Sequence, residues 1–479
     1  MNYSMIAYIL GWVTGLQGVL MIPSVIAGLI FREPAVWSLA GTAALCLVLG
    51  APVLFKKPKE QVMYAREGFV IVGLSWLVLS VLGCLPFVFA GAIPSFIDAL
   101  FETVSGFTTT GASILENVEA MPKCLLFWRS FTHWIGGMGV LVFLLTILPM
   151  AGGTHMNLMK AESPGPSVEK LLPRVSETAK ILYLMYLGLT IVEIILLLLG
   201  HLPLFDALCL SFGTAGTGGF GVRNDSVASY GSYAQWVITI FMLLFGVNFS
   251  IYFLLLHKRV KQALSSEELH GYAIIVGAAI LFIFLQLVLS GTGGKHPLLE
   301  ASFQVASIIT TTGYSTVDFN QWPAFSRTIL VTLMLVGACA GSTGGGFKVS
   351  RALLFFKSIR RQLFFFLHPT GVRRVTLDGH AMDRQTMRAV TSFAASYMAI
   401  LIVSVLLVSL EGYSETTNLT AVIACFNNIG PGLDLVGPAA NFHFFNPFTK
   451  LVLIFDMLAG RLEIFPLLLL FYPRTWRRH

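Results

Sequence analysis

The feature that most constrains this chain is one spacing that recurs four times. Asp98, Asp206 and Glu300 are each followed, thirteen residues on, by a glycine that closes a Thr/Gly-rich run: Gly111, Gly219 and Gly313. The runs read Thr109-Thr110-Gly111, Thr217-Gly218-Gly219 and Thr311-Thr312-Gly313. A fourth run, Asn427-Asn428-Ile429-Gly430, ends thirteen residues after Thr417, where a hydroxyl that can cap a helix stands in for the acid. Each copy is too short and too polar to cross a bilayer, yet each lies between long apolar segments. Such a chain has to accommodate four half-length helices ending in glycine loops.

Those apolar neighbours decide the class. The hydrophobic fraction is 56% and the charged fraction 11%, against roughly 25% charged in a typical soluble domain. With so few charges, 479 residues can bury a large core but cannot solvate its surface. Apolar stretches recur near 5–29, 36–55, 68–91, 124–149, 179–200, 233–256, 271–289, 327–366, 387–410 and 450–471. About 20 residues suffice to cross a hydrocarbon layer of ~30 Å. The expectation is an all-α polytopic membrane protein with about ten transmembrane helices. The N-terminus lacks a positive n-region and its apolar run exceeds a signal peptide's core, so it reads as a retained span.

The formal charge of +7 is distributed, not clustered for nucleic acid. Lys56, Lys57, Lys59 and Arg66 share one loop; Lys160, Lys170, Arg174 and Lys180 another; Lys258, Arg259 and Lys261 a third. Lys357, Arg360, Arg361, Arg373, Arg374, Arg384 and Arg388 form a fourth group, and Arg474, Arg477 and Arg478 close the chain. If spans alternate, all lie on one side, opposite the scattered Arg32, Arg223, Lys295 and Arg327. The positive-inside rule then puts both termini in the cytoplasm and opens the glycine loops to the outside. No nucleic-acid partner is implied; membrane lipid is. Cys46, Cys84, Cys124, Cys209, Cys339 and Cys425 contain no Cys-x-x-Cys pair and read as small core residues.

After a two-helix hairpin at 1–60, the order span, half-helix with loop, span repeats over 61–155, 156–265, 266–380 and 381–479. Repeats of about 100 residues exceed solenoid periods of ~20–50. Both ends of each unit lie inside, so the four are parallel, unlike inverted transporter repeats. Four parallel units can bring their loops to one pore at one depth. Each half-helix would point its negative dipole end toward mid-membrane, where a cation would wait. Non-helical backbone is tolerated there only inside protein or beside a watery cavity. Helix-packing glycines are the rival reading, but those recur as small-xxx-small on one helix face, not at one offset from an acid.

These residues carry a resemblance. The stretches Val104-Ser105-Gly106-Phe107-Thr108-Thr109-Thr110-Gly111-Ala112, Thr217-Gly218-Gly219-Phe220, Thr310-Thr311-Thr312-Gly313-Tyr314 and Asn427-Asn428-Ile429-Gly430-Pro431-Gly432 are similar to the TrkH branch of the Trk/Ktr/HKT superfamily of potassium uptake proteins. So are Ala161 to Pro166, Ala340 to Gly346 and Gly460 to Phe465. The resemblance implies a K⁺-selective conduit in a bacterial cytoplasmic (inner) membrane. It implies a homodimer with one pore per protomer and a cytoplasmic TrkA-like ring of nucleotide-binding regulatory subunits. Relatives that pass Na⁺ often carry Ser at the first filter glycine; here all four positions are glycine, which favours K⁺.

The expected filter consists of carbonyls around Thr110, Gly111, Gly218, Gly219, Thr312, Gly313, Ile429 and Gly430, replacing part of the ion's hydration shell. In the second loop the register rests on the thirteen-residue offset, with Gly218 the alternative to Gly219. Gly341, Ser342, Thr343, Gly344, Gly345 and Gly346 interrupt the long apolar run 327–366. Each interior glycine costs about 1 kcal/mol against alanine, so an unbroken helix is disfavoured there. A broken helix whose loop gates the pore is the reading that agrees with the family. A phosphate-binding loop is excluded, because Phe347 intervenes before Lys348 and no Ser or Thr follows it.

Lys348, Arg351 and Arg461 are expected as intramembrane charges, which usually face a cavity. Arg461 is the candidate barrier, holding the gate loop through its carbonyls; pairing with Glu463 or Asp456 is the alternative. For Lys348 and Arg351 the start of the inner basic border is the equal alternative. Glu102 is read as paired with a neighbour or drawing cations to the mouth, with structural support of the helix dipole the equal alternative, and His133 as a satisfied histidine near an interface. The stripe Phe355, Phe356, Phe364, Phe365, Phe366 is expected against lipid or a dimer partner, and the loop 367–386 as a regulator's dock, with a mere topology marker the alternative. An ion-coupled K⁺ symporter is the alternative mechanism. No Gly-x-Ser-x-Gly, His-Glu-x-x-His or paired-carboxylate site points to an enzyme.

Overall fold

In the computed structural model each glycine-ended segment is a short helix: Phe96–Phe107, Leu204–Gly216, Pro297–Ile309 and Glu415–Phe426. The structure describes residues 1–55, 58, 64–139, 175–371 and 374–476. The acids do not cap these helices, as the spacing had implied, but sit in their first turns. Ser95 and Ser414 are the side-chain caps of the first and fourth. The first-turn residues instead tether the helices to outer segments. Asp98 pairs with Lys450 at 2.6 Å, Asp206 accepts from the Tyr230 hydroxyl at 2.9 Å, Glu300 accepts from the Gly294 N–H at 3.0 Å, and Thr417 donates to Asp434 at 2.8 Å.

A leading hairpin is built from the helix Tyr3–Phe31, which is interrupted at Met21, and from Val36–Gly50. Gln17 ties it to the first repeat through the Leu79 carbonyl at 2.9 Å. The four entry helices run Ala65–Phe89, Val175–Leu199, Glu267–Ser290 and Arg384–Val408. Among the described residues, five helices are long and apolar enough to cross a membrane singly, and these are the first hairpin helix and the entry helices.

The exit helices account for the difference from ten simple spans. The second is split into Ser232–Phe245 and Phe249–Leu256, bent by 90°, and the third into Ala324–Val336 and Val349–Leu367. The fourth is split into Pro447–Arg461 and Phe465–Phe471. The first is described over Lys123–Gly137 and leaves the helix at Gly139, with φ +80°. The sequence had marked only the third break, and the apolar runs 233–256 and 450–471 had read as plain spans. Asn248 starts the second half of one as an N-cap, and in the other Glu463 and Ile464 take positive φ just before Pro466. A single cap or a proline interrupts a helix as surely as a glycine string, without interrupting its hydrophobicity.

The chain is an all-α polytopic membrane protein; its one strand pair is the hairpin Thr376–Leu377 with His380–Ala381, among the described residues. All six cysteines are free and buried. The run Ala161 to Pro166, the inner part of 124–149, and Lys56, Lys57, Lys59, Lys160, Lys170, Arg174, Arg373, Arg477 and Arg478 lie outside the described residues.

Candidate functional site

The four short helices end in one repeated backbone motif. Thr109, Thr217, Thr311 and Asn428 take left-handed φ values of 55°, 55°, 60° and 56°, and Gly111, Gly219, Gly313 and Gly430 follow two residues later at 80°, 75°, 84° and 96°. The N–H of Thr110, Gly218, Thr312 and Ile429 each bonds the carbonyl five residues back at 2.8 Å. This is a Schellman closure with a β-branched residue in three of the four left-handed positions, where glycine is usual. A left-handed L-residue costs roughly 1–2 kcal/mol. The same φ sequence settles the register of the second loop: Gly219, not Gly218, matches the other glycines.

The loops meet in a closed cycle. A Cβ at Gly111 would collide with the carbonyl oxygen of Gly218, one at Gly219 with that of Thr312, and one at Gly313 with that of Ile429. At Gly430 it would press on the Thr110 carbonyl, returning to the first loop. Each glycine thus abuts the carbonyl that precedes the next loop's glycine, in the order one to four and back. Only glycine combines this close approach with positive φ. All eight predicted loop residues therefore come together. Asn428 adds a tie between the fourth and first loops, donating to the Thr110 hydroxyl at 2.9 Å.

The interrupted stretch of the third repeat packs directly against these loops. Gly345 donates to the Thr311 hydroxyl at 2.6 Å. Gly344 lies against the Thr310 carbonyl and Gly345 against the Asn427 carbonyl, both too close for a side chain. Thr343 donates to the Phe245 carbonyl at 3.2 Å, Gly341 accepts from the Phe249 N–H at 3.0 Å, and Ser342 turns back to the Cys339 carbonyl at 2.6 Å. Gly346, at φ +80°, packs on Gly337.

Arg461 reaches this loop from the fourth repeat. It donates to the Thr343 carbonyl at 2.9 Å, to Gly137 at 2.7 Å and to Gly136. The fork bridges the third and first repeats. Its two suggested partners are engaged elsewhere: Glu463 pairs with Arg351, and Asp456 accepts from Ser404 at 2.6 Å. Lys348 and Arg351 are buried and do not begin a solvated border. The Lys348 ammonium bonds the Gly344 carbonyl, while the Arg351 guanidinium also lies 4.1 Å from the Phe393 ring centre.

Three residues were missed or misplaced by the sequence reading. Glu268, at the start of the third entry helix, accepts from the N–H of Ala340 at 2.7 Å and of Ser350 at 3.1 Å, so one carboxylate holds both ends of the interrupted stretch. Arg129 pairs with Glu102 at 2.6 Å in the interior, so of the readings of Glu102 the structure shows the paired one. As a lone arginine in an apolar run it carries the same signal as Arg461 and was overlooked. His133 is not at an interface: it is fully buried and stacked on Phe220, ring centres 4.1 Å apart, behind the second loop. Phe355, Phe356 and Phe366 face outward on the chain.

Comparisons with known proteins give the family and the fold. The family model TrkH, described as a cation transport protein, matches residues 37–293 and 272–478. The chain is 38% identical over 487 aligned positions to a Trk system potassium uptake protein TrkH of Salmonella typhimurium, and 37% identical to that of Escherichia coli, with 100% of each chain covered. Its fold superposes with a TM-score of 0.89 on the crystal structure of the potassium transporter TrkH from Vibrio parahaemolyticus, at 34% identity and full coverage of both chains.

Proposed function

The chain belongs to the TrkH family of cation transport proteins, and from that premise we propose that it takes up potassium across a bacterial cytoplasmic membrane through a gated pore. The observation that carries this reading is the closed cycle in which each loop glycine abuts its neighbour's carbonyl. A ring of backbone oxygens at the ends of four pore helices can replace the hydration shell of a monovalent cation, and a channel needs no more than that at its narrowest point. The helix C-termini add partial negative charge where the ion dehydrates. Thr110, Gly111, Gly218, Gly219, Thr312, Gly313, Ile429 and Gly430 form the filter.

Residues 341–346 are the gate. They occupy the space under the filter and bond to the second, third and fourth repeats, and Arg461 joins them to the first. A guanidinium on the ion's path opposes cation passage electrostatically, and its carbonyl bonds hold the loop closed. Opening requires those bonds and the Glu268 clamp to be released together. The protein works as a homodimer with both termini cytoplasmic. A TrkA-like regulatory ring docks at 367–386, where the exposed hairpin lies beside the helix that leaves the gate.

Reconstitution into liposomes tests the reading. Currents should reverse near the K⁺ equilibrium potential, independent of pH and of Na⁺. Equal passage of Na⁺ and K⁺ would overturn the selectivity, and a reversal potential that follows the proton or Na⁺ gradient would replace the channel with coupled uptake.

A further inference from the structure

The outer limbs of the first two loops are bound together by a buried ion pair. Glu102 and Arg129 are 1% and 3% exposed. Glu102 accepts from Arg129 Nε at 2.6 Å, from the Ser113 hydroxyl at 2.9 Å and from the Ile114 N–H at 2.9 Å. Arg129 sends Nη2 to the same Ser113 hydroxyl at 3.2 Å and Nη1 to the Gly221 carbonyl at 3.0 Å, with its guanidinium 3.5 Å from the Phe220 ring centre. Ser113 stands two residues after Gly111, and Gly221 two residues after Gly219. One planar fork therefore grips the same position of two adjacent loops.

The repeat does not explain this pair. Glu102 lies four residues after Asp98, and the residues at that offset in the other repeats are Leu210, Gln304 and Ala421. The neighbouring loop contacts use neutral groups: Tyr314 donates to the carbonyls of Leu210 and Phe220 at 3.0 and 3.3 Å, and Asn428 to the Thr110 hydroxyl. A carbonyl ring prefers the larger ion only while it resists contracting around the smaller one. A charge-assisted fork is the stiffest hydrogen-bonded brace available to hold two loops apart. We propose that Glu102 and Arg129 are positioning residues for ion discrimination, holding the first two loops at the spacing that admits K⁺ and disfavours Na⁺.

The inference rests on the filter reading, and the experiment separates the two. The full-length chain, Arg129→Lys and Ser113→Ala are reconstituted, and Na⁺/K⁺ permeability ratios are taken from bi-ionic reversal potentials, with thermal melting of the same preparations. Lysine keeps the charge but cannot reach both Glu102 and Gly221 as a fork. Ser113→Ala removes the shared hydroxyl and leaves both members of the ion pair and the Gly221 contact in place, and the melting curve reads its fold. The expected result is a ratio raised about tenfold in Arg129→Lys, which corresponds to about 1.4 kcal/mol of lost discrimination between the two ions, and by a smaller factor in Ser113→Ala, with K⁺ current retained. A lowered melting temperature with an unchanged ratio would reduce the pair to a structural role and overturn the proposal. If the unaltered chain fails to discriminate at all, it is the filter reading that falls, and this inference with it.

Discussion

Three threonines and an asparagine hold the left-handed turn that aims each loop, and four glycines take the positions where the loops touch. The two kinds of position tolerate change differently. A methyl at Gly313 meets the Ile429 carbonyl and also demands an unfavourable φ. Gly313→Ala is therefore expected to abolish selective K⁺ current while the chain still inserts and purifies, as read by liposome flux and size-exclusion profile. Unimpaired K⁺ current in that variant would mean the loops are not in mutual contact. Arg461 makes a second residue-scale case. Arg461→Ala removes both the charge and its bonds to the Thr343 and Gly137 carbonyls. Flux without any regulatory partner should rise, and Arg461→Lys should fall between, since an ammonium cannot span both carbonyls as a planar fork does. No rise in either variant counts against the barrier.

At the scale of elements, the exit helices matter most. The last three stop and restart at comparable points beyond the pore helices, and the first is described only to its stopping point at Gly139. The third restarts only after a twelve-residue excursion, Gly337 to Lys348. Glu268 closes that excursion like a staple, through the N–H of Ala340 and of Ser350. Glu268→Ala strands two buried donors at about 1–3 kcal/mol each, so the loop should loosen: raised basal flux and a lowered melting temperature are expected together. A tighter pore in that variant would show the staple to be unrelated to closure. Only the third break was legible beforehand, because its glycines are consecutive. Asn248 and the pair Glu463-Ile464 interrupt their helices by capping and by backbone reversal, which hydropathy does not register.

For the whole molecule, the proposed orientation puts the basic loops on one face of the membrane and the glycine loops on the other. Topology can be read chemically. In a chain whose six buried cysteines are replaced, Asp225→Cys, in the exposed loop after the second filter, should react with a membrane-impermeant maleimide added outside. Asp383→Cys, at the start of the fourth entry helix, should not. Labelling of both from one side would break the proposed orientation.

The spacing of acid and glycine, the apolar run lengths and the placement of lysine and arginine were enough to determine the membrane class and to single out four short helices with the eight loop residues that the fold brings together. These properties are local or periodic, and they survive in one dimension. Tertiary structure alone decided that the loops close head to tail, that Arg461 joins the Thr343 and Gly137 carbonyls, that Glu268 fastens the two ends of the Gly337 to Lys348 excursion and that Glu102 meets Arg129 across 27 positions. Such contacts join residues whose separation in the chain follows no period. Their pairing depends on how the repeats curl around a shared axis, and that curl is set by packing among helices, not by any single stretch of sequence.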